Sequence, residues 1–395
     1  MTSSKFKEFD HHAPGAREGA EDLWTDLRST PGLPHSDKLG GFYLAGRYAD
    51  LKTAFMDFET YSSAQGITLP VQQIRTPHIP PETDPPIQRD YRKILQPFVL
   101  PAVVREREPQ VRTIARNILD TFKNETRIDF FKVFARPFPV HAALTLFGLP
   151  PEDGPYLDGL VMNLHEEIAT NVRTGATDKL TAYVEEALKT RIATVTAPPE
   201  DMVSAIALGE AGGKPMTLDE KVSMLRLLLI GGFDTTAITL ATAAWWFAEH
   251  PEDFERIRAN PDLIDGAAEE FVRLASPASY LRRTLTRDAE LGGEKMKKGD
   301  RVLLSLGAAN RDPSVFERPD EAVIDRKPNP HIGFGLGVHR CIGAPFAKLE
   351  IRMAFEEILQ RYDRLEVDPD KPIKLSKGNN QGIVSLPLIL TPKKK

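Results

Sequence analysis

One short stretch of this chain gathers groups that could do chemistry. Residues 333–343 read GFGLGVHRCIG and hold the only cysteine among 395 residues, Cys341. His339 stands two positions before it, and Gly335, Gly337 and Gly343 flank it. A lone cysteine is most often a small buried hydrophobe. It can also be a nucleophile, which needs a base and an orienting group, and His339 is too close along the chain to serve as that base. A zinc site needs companion cysteines or a spaced histidine pair, and neither is nearby. A fourth reading suits the neighbours better. Glycines let a backbone turn tightly and pass close to something flat. Cys341 opens the run IGAPFAKLEIRMAFEEILQ, whose helical N-terminal amides would stabilise an anionic sulfur. Pro345 is tolerated in a first turn. A thiolate held beside a planar partner suits an axial ligand of haem iron.

A second group, GGFDTT at 231–236, lies in the most apolar part of the chain. Two adjacent glycines inside a helix cost about 1 kcal/mol each relative to Ala. Either the helix breaks there and Asp234 caps a second one, or the glycines make a widened turn where O2 can sit. In the second case Asp234 and Thr235 form an acid–alcohol pair. Splitting an O–O bond needs two protons, and their delivery by positioned groups is general-acid chemistry.

Taken together these stretches resemble a known family. FGLGVHRCIG (334–343) resembles the haem-binding signature F-x-x-G-x-[HR]-x-C-x-G of the cytochrome P450 monooxygenases. GGFDTT resembles that family's [AG]-G-x-D-T-[TS] element, with Gly231 where many members carry Ala. The resemblance implies haem b as cofactor and Cys341 as its proximal iron ligand. It implies Phe334 packed beside the sulfur, His339 facing a haem propionate, and Gly335 and Gly343 shaping the ligand loop. Thr235 would stand at the oxygen site, with Asp234 relaying protons. In EEFVR, Glu270 and Arg273 share a helix face; an exposed pair of this kind is worth under about 1 kcal/mol. The family carries E-x-x-R as a buried structural pair, with Arg326 in VIDRKPNPHIGFG in the place of its third member. DPPIQRDYRKILQPFV (84–99) resembles the segment whose arginine, here Arg92, reaches one propionate, with Gln88 nearby. YLRRTLTRD (280–288) resembles the strand whose arginine, here Arg283, binds the other. Two buried carboxylates need cationic partners. The resemblance runs from about residue 40 to 390 and is closest to soluble bacterial members of the camphor-hydroxylase type.

The implied reaction inserts one atom of O2 into a substrate C–H bond and reduces the other to water. The chain has no Gly-rich dinucleotide fingerprint, flavin domain or iron–sulfur cysteines. Electrons from NAD(P)H would therefore arrive through a separate ferredoxin or flavodoxin and its reductase. An acidic partner of that kind would dock on the Cys341 side, with Arg89, Arg92 and Lys348 as candidate contacts. The substrate pocket is expected to draw on Leu227, Ile230, Phe233, residues 65–75, Ser279, Tyr280, Leu281, Ile383 and Val384. That lining is apolar, so the expected substrate is small and mostly hydrophobic, a terpenoid or a substituted aromatic. Hydroxylation or O-dealkylation would follow. A peroxide-driven haem-thiolate peroxygenase would replace the acid–alcohol pair, and a non-catalytic haem sensor would gain nothing from it.

The elements that must position these groups can also be read. Thr217-Leu218-Asp219-Glu220 is a capping box, and the helix it opens can run to His250, where Pro251 follows. At 217–250 it spans roughly 50 Å, long enough to cross a domain and carry the oxygen-site residues. Residues 87–250 are mainly helical by apolar spacing, and short strands with turns follow residue 277. The expected fold is α+β, mainly α with a smaller β portion; by resemblance it is one triangular-prism domain over 1–395, with haem between the long helix and the cysteine helix. Residues 1–39 read as an N-terminal extension, and the proline-rich 65–87 as a substrate-access loop. The net charge of −5, from 51 basic and 56 acidic residues, gives no nucleic-acid footprint. The N-terminus lacks a signal peptide's apolar core, and Arg226 and Asp234 interrupt the apolar run. A cytoplasmic monomer off the membrane is expected.

Overall fold

The structure is a computed structural model and describes residues 3–70, 77–170, 172–195 and 198–394. At its centre is a 32-residue helix, Leu218–Glu249. Its start is fixed by the expected capping box: the Thr217 side chain accepts from the Glu220 amide, and the Glu220 carboxylate accepts from the Thr217 amide. Three of its threonines are accommodated because their hydroxyls bond back one turn. Thr235 donates to the Gly231 carbonyl, Thr239 to Thr235 and Thr242 to Ile238. Among the described residues this is the one helix long and apolar enough to cross a membrane, and two-thirds of its apolar window is buried inside the protein.

The helix runs unbroken through 231–236, so Asp234 caps nothing. The turn is regular α-helix there, not widened as expected. The glycines have separate reasons to be small. A Cβ on Gly232 would stand 3.2 Å from the Phe147 ring and 3.4 Å from the Ala143 Cβ, on the Pro137–Phe147 helix packed alongside. A Cβ on Gly231 would meet nothing within 4 Å.

Helices 137–147, 154–170, 176–194, 264–275 and 344–361 surround the central helix. Its core is one large apolar cluster that includes Phe134, Phe138, Phe233, Phe247, Phe271 and Phe355. Beside this mass lies a five-stranded sheet. In it, Phe42–Ala45 runs parallel to Arg301–Ser305, which pairs antiparallel with Tyr280–Leu285. A three-stranded sheet joins Tyr362–Val367, Pro387–Pro392 and Arg127–Asp129. The mainly helical α+β expectation is met.

Two expected segments differ in detail. The expected N-terminal extension packs onto the domain: Phe6, Phe9 and Trp24 are buried with Phe42, Leu44 and Tyr280 in a cluster of their own. In the access loop, 65–70 and 77–86 hold neither helix nor strand; positions 71–75 of the expected pocket lie outside the described residues. The loop is tied at one side. A His12 ring nitrogen bonds the Leu69 carbonyl at 2.7 Å, and Asn379 Nδ2 donates to the same oxygen at 3.3 Å.

The approach to the cysteine is held by a buried charge cluster. Arg273 Nε and Nη2 donate to the two Glu270 oxygens at 2.8 and 2.9 Å, both side chains fully buried. Arg326 Nε adds bonds of 3.0 and 3.1 Å to the same carboxylate. Arg273 then reaches the Asn310, Pro319 and Glu321 carbonyls. One carboxylate and two arginines thus fix the irregular segment that leads to residue 333. Because every donor and acceptor is engaged, the desolvation of these charges is offset.

Candidate functional site

A cavity of about 920 Å³ opens between the central helix, the 333–343 loop and the access loop. Cys341, Asp234 and Thr235 all line it. The cysteine loop is shaped by backbone sterics. Gly335 and Gly337 have φ of +68° and +66°, and a Cβ on Gly337 would fall 2.7 Å from the Phe55 carbonyl oxygen. The Cys341 amide donates to the Phe334 carbonyl at 2.7 Å, closing the turn. Gln88 Nε2 donates to the Val338 carbonyl at 2.7 Å, so Gln88 braces this loop.

The helix after the loop begins at Ala344, with Gly343 as its N-cap. The Cys341 sulfur is open to the cavity but deep in the protein. Depth raises its pKa, while the Gly343 and Ala344 amides and the Arg92 charge act to lower it. A cationic metal at the sulfur would complete what those amides begin.

Cations without counter-charges collect on the same wall. Arg283 is fully buried, and burial brings its pKa down to about 10. Among the described residues its side chain makes one hydrogen bond, to the Arg282 carbonyl at 2.8 Å, and it lies over the Phe55 ring. Arg92 is half-buried beside the sulfur, and burial lowers its pKa too. Among the described residues neither arginine has a carboxylate within ion-pair distance. Among the described residues His339 Nε2 is buried without a hydrogen bond, 3.7 Å from Asp84. A thiol at amide dipoles, two unpaired guanidiniums, an orphaned imidazole nitrogen and a side-chain-free patch at Gly231 fit a flat dianionic iron porphyrin. Phe334 and Gly335 line the same space, and Gly343 lies at its edge beside the sulfur.

Asp234 is more constrained than expected. It is ion-paired with Arg136 Nη1, and His165 Nδ1 stands 2.7 Å from its other oxygen. Arg136 also bonds Asp158 at 2.5 Å. Among the described residues the Thr235 hydroxyl is held only by the Gly231 carbonyl, at 3.2 Å. A further acid, Glu350, is fully buried on the cavity wall with Thr236 Oγ1 at 3.2 Å. Burial raises its pKa well above the usual carboxylate range, and the Thr236 hydroxyl opposes that rise.

The expected apolar pocket is partly reassigned. Leu227, Ile230, Tyr280, Leu281 and Val384 line the cavity. Phe233 does not; it is fully buried in the core. Cavity-lining positions occupy most of the helix between 226 and 239, and those that do not line it, 229, 233 and 237, recur every fourth residue as one core-facing stripe. Ile383 also turns into the core, because neighbours on the Ile383–Ser385 strand alternate faces. Ser279 is turned away too, its hydroxyl donating to the Ser276 carbonyl at 2.9 Å. The lining is not all apolar: His78, Arg136, His165 and Arg226 belong to it. Of the expected docking cations, Arg89 is exposed. Arg92 faces inward, and Lys348 is engaged with Glu269 at 2.7 Å.

Comparison with known proteins agrees with this geometry. A family model for cytochrome P450 matches residues 155–392. Cytochrome P450 CYP199A2 of Rhodopseudomonas palustris is 32% identical over 381 residues, 93% of this chain and 90% of that protein. The steroid C26-monooxygenase of Mycolicibacterium smegmatis is 30% identical over 379 residues, 95% of this chain and 93% of that one. Among solved structures, a mutant of P450 EryK in complex with erythromycin B superposes with a TM-score of 0.86 at 28% identity, covering 97% of this chain and 100% of that chain.

Proposed function

The chain belongs to the cytochrome P450 monooxygenases, and on that premise we propose that it oxygenates a small, mostly apolar substrate with electrons drawn from a separate ferredoxin or flavodoxin system. The observation that carries this reading is the sole thiol, set against the Gly343 and Ala344 amides on a wall it shares with Asp234 and Thr235. Bound there, haem supplies the activation of O2 and the transfer of one oxygen atom to a C–H bond.

The chain's own residues do the rest. Cys341 offers its sulfur to the iron, and the amides at the helix start favour the thiolate. Arg92 and Arg283 would neutralise the propionates, which would relieve their own burial without counter-charge, and His339 would hydrogen-bond one of them. Gln88 and the Glu270–Arg273–Arg326 cluster hold the cysteine loop in register. Thr235 turns its hydroxyl between the Gly231 carbonyl and the cavity and so can pass a proton there. Asp234, held by Arg136 and His165, fixes the hydration and charge behind that hydroxyl. Glu350 stands on the same wall, hydrogen-bonded to Thr236. Leu227, Ile230, Leu281 and Val384 bind the substrate's apolar surface and exclude water. An electron donor of acidic surface docks near exposed Arg89 and Arg340 on the thiol side. The protein works in the cytoplasm as a monomer.

The test is spectroscopic. Haem-loaded protein, reduced under carbon monoxide, is expected to give the red-shifted Soret band of thiolate ligation, and Cys341→Ser to lose it. With a surrogate ferredoxin and reductase, substrates are found by spin-state change and checked for oxygenated product. Oxygenation at an unaltered rate by Cys341→Ser would overturn the reading.

A further inference from the structure

Arg226 lies on the central helix, two turns before the Asp234–Thr235 pair and on the wall of the same cavity. Its side chain is 7% exposed. Nη1 is 3.3 Å from Thr181 Oγ1. Nε and Nη2 are buried and, among the described residues, meet no acceptor. Those two donors share one edge of the guanidinium, the edge that takes a carboxylate through two parallel N–H···O bonds. A buried cation with a free bidentate edge is a costly arrangement unless something arrives to pair with it. Glu82 lies close enough for its charge to be felt there, but its oxygens are taken by the Ile67 and His78 amides. His78 adds a second orphan, a buried Nδ1, on the same cavity wall.

We propose that Arg226 anchors a carboxylate on the substrate, so that the pocket takes carboxylic acids with an apolar body in preference to their neutral counterparts. This rests on the monooxygenase reading and names its substrate class. Arg226 and Thr235 are nine residues apart on one helix, roughly 13 Å along its axis at 1.5 Å per residue and about two and a half turns, with Ile230, Leu227 and Gly231 on the arc of the helix surface between them. An acid gripped at Arg226 therefore lays its apolar end along Leu227 and Ile230 toward the open patch at Gly231. The anchor then sets which carbon reaches the oxygen site.

The haem-loaded enzyme is titrated in chloride-free buffer at neutral pH with cinnamic, naphthalene-2-carboxylic and geranic acids and with the methyl ester of each. Binding is read by spin-state change and, independently, by equilibrium dialysis. At least one acid is expected to bind roughly 10- to 100-fold more tightly than its ester, the range of a hydrogen-bonded charge. Arg226→Gln is expected to bring that ratio to about one while leaving ester affinity unchanged; Arg226→Lys, which keeps the charge, is expected to retain part of it and serves if the glutamine variant does not fold. The proposal is overturned if no acid outbinds its ester in the wild type, if the ratio survives Arg226→Gln, or if acid and ester affinities fall together. Absence of the thiolate spectrum would instead undo the monooxygenase reading, and dialysis would still decide the anion site.

Discussion

Thr235 and Asp234 are neighbours in the chain but answer to different partners. The hydroxyl bonds within its own helix, whereas the carboxylate is gripped by Arg136 and His165 from two others. Only the hydroxyl turns cheaply. Thr235→Val keeps the shape and removes the proton. It is expected to leave substrate affinity unchanged and slow product formation by roughly 100-fold, measured as product formed against O2 consumed. An unchanged product yield would remove Thr235 from proton delivery. The pair could be read from sequence because both side chains act within a few residues of the glycines that expose them. Arg136, His165 and Glu350 could not, since they reach the site through space from other helices. Arg226 left a visible trace, a guanidinium inside MLRLLLIGG; what the string lacks is any sign that Nε and Nη2 stay unpartnered.

At the scale of elements, the central helix keeps two adjacent glycines for two different neighbours. Gly231→Ala puts a methyl into open space and is expected to stabilise the protein by about 1 kcal/mol. Gly232→Ala meets Phe147 at 3.2 Å and is expected to lose most of that gain, and Gly232→Val to destabilise by about 1–3 kcal/mol. Thermal unfolding of the three variants beside the wild type checks this; equal shifts at both positions would mean that packing against the Pro137–Phe147 helix does not matter. Helix limits were legible because the capping box and Pro251 act locally. The E-x-x-R pair was legible as a motif but not as a fully buried one, since burial depends on the carbonyls of residues 310–321 arriving from elsewhere. Phe233 and Ile383 were misassigned for one reason: apolar type is shared by core and pocket, and only rotation about the element axis separates them.

Across the whole molecule, distant parts of the chain meet at His11 and His12. His11 is buried against Asn379 and Tyr280, and burial, with His12 beside it, pushes its pKa down from 6.5 to about 3. Burial lowers His12 as well. An imidazole depressed in the folded state takes up a proton on unfolding, so its contribution is complete above about pH 6.5 and drains away as pH falls toward 3. The melting temperature is therefore expected to drop on acidification from pH 6.5, and His11→Gln to flatten that drop; parallel profiles would clear these histidines. The same junction bears on how the protein is made. His11, Leu69 and Asn379 are joined across 310 and 368 positions of sequence. During synthesis His12 and Leu69 are available to each other early, whereas the tie from Asn379 can form only after residue 379, and so after Cys341, has been made. This side of the chamber is therefore fastened in two stages, and its second tie joins late in folding.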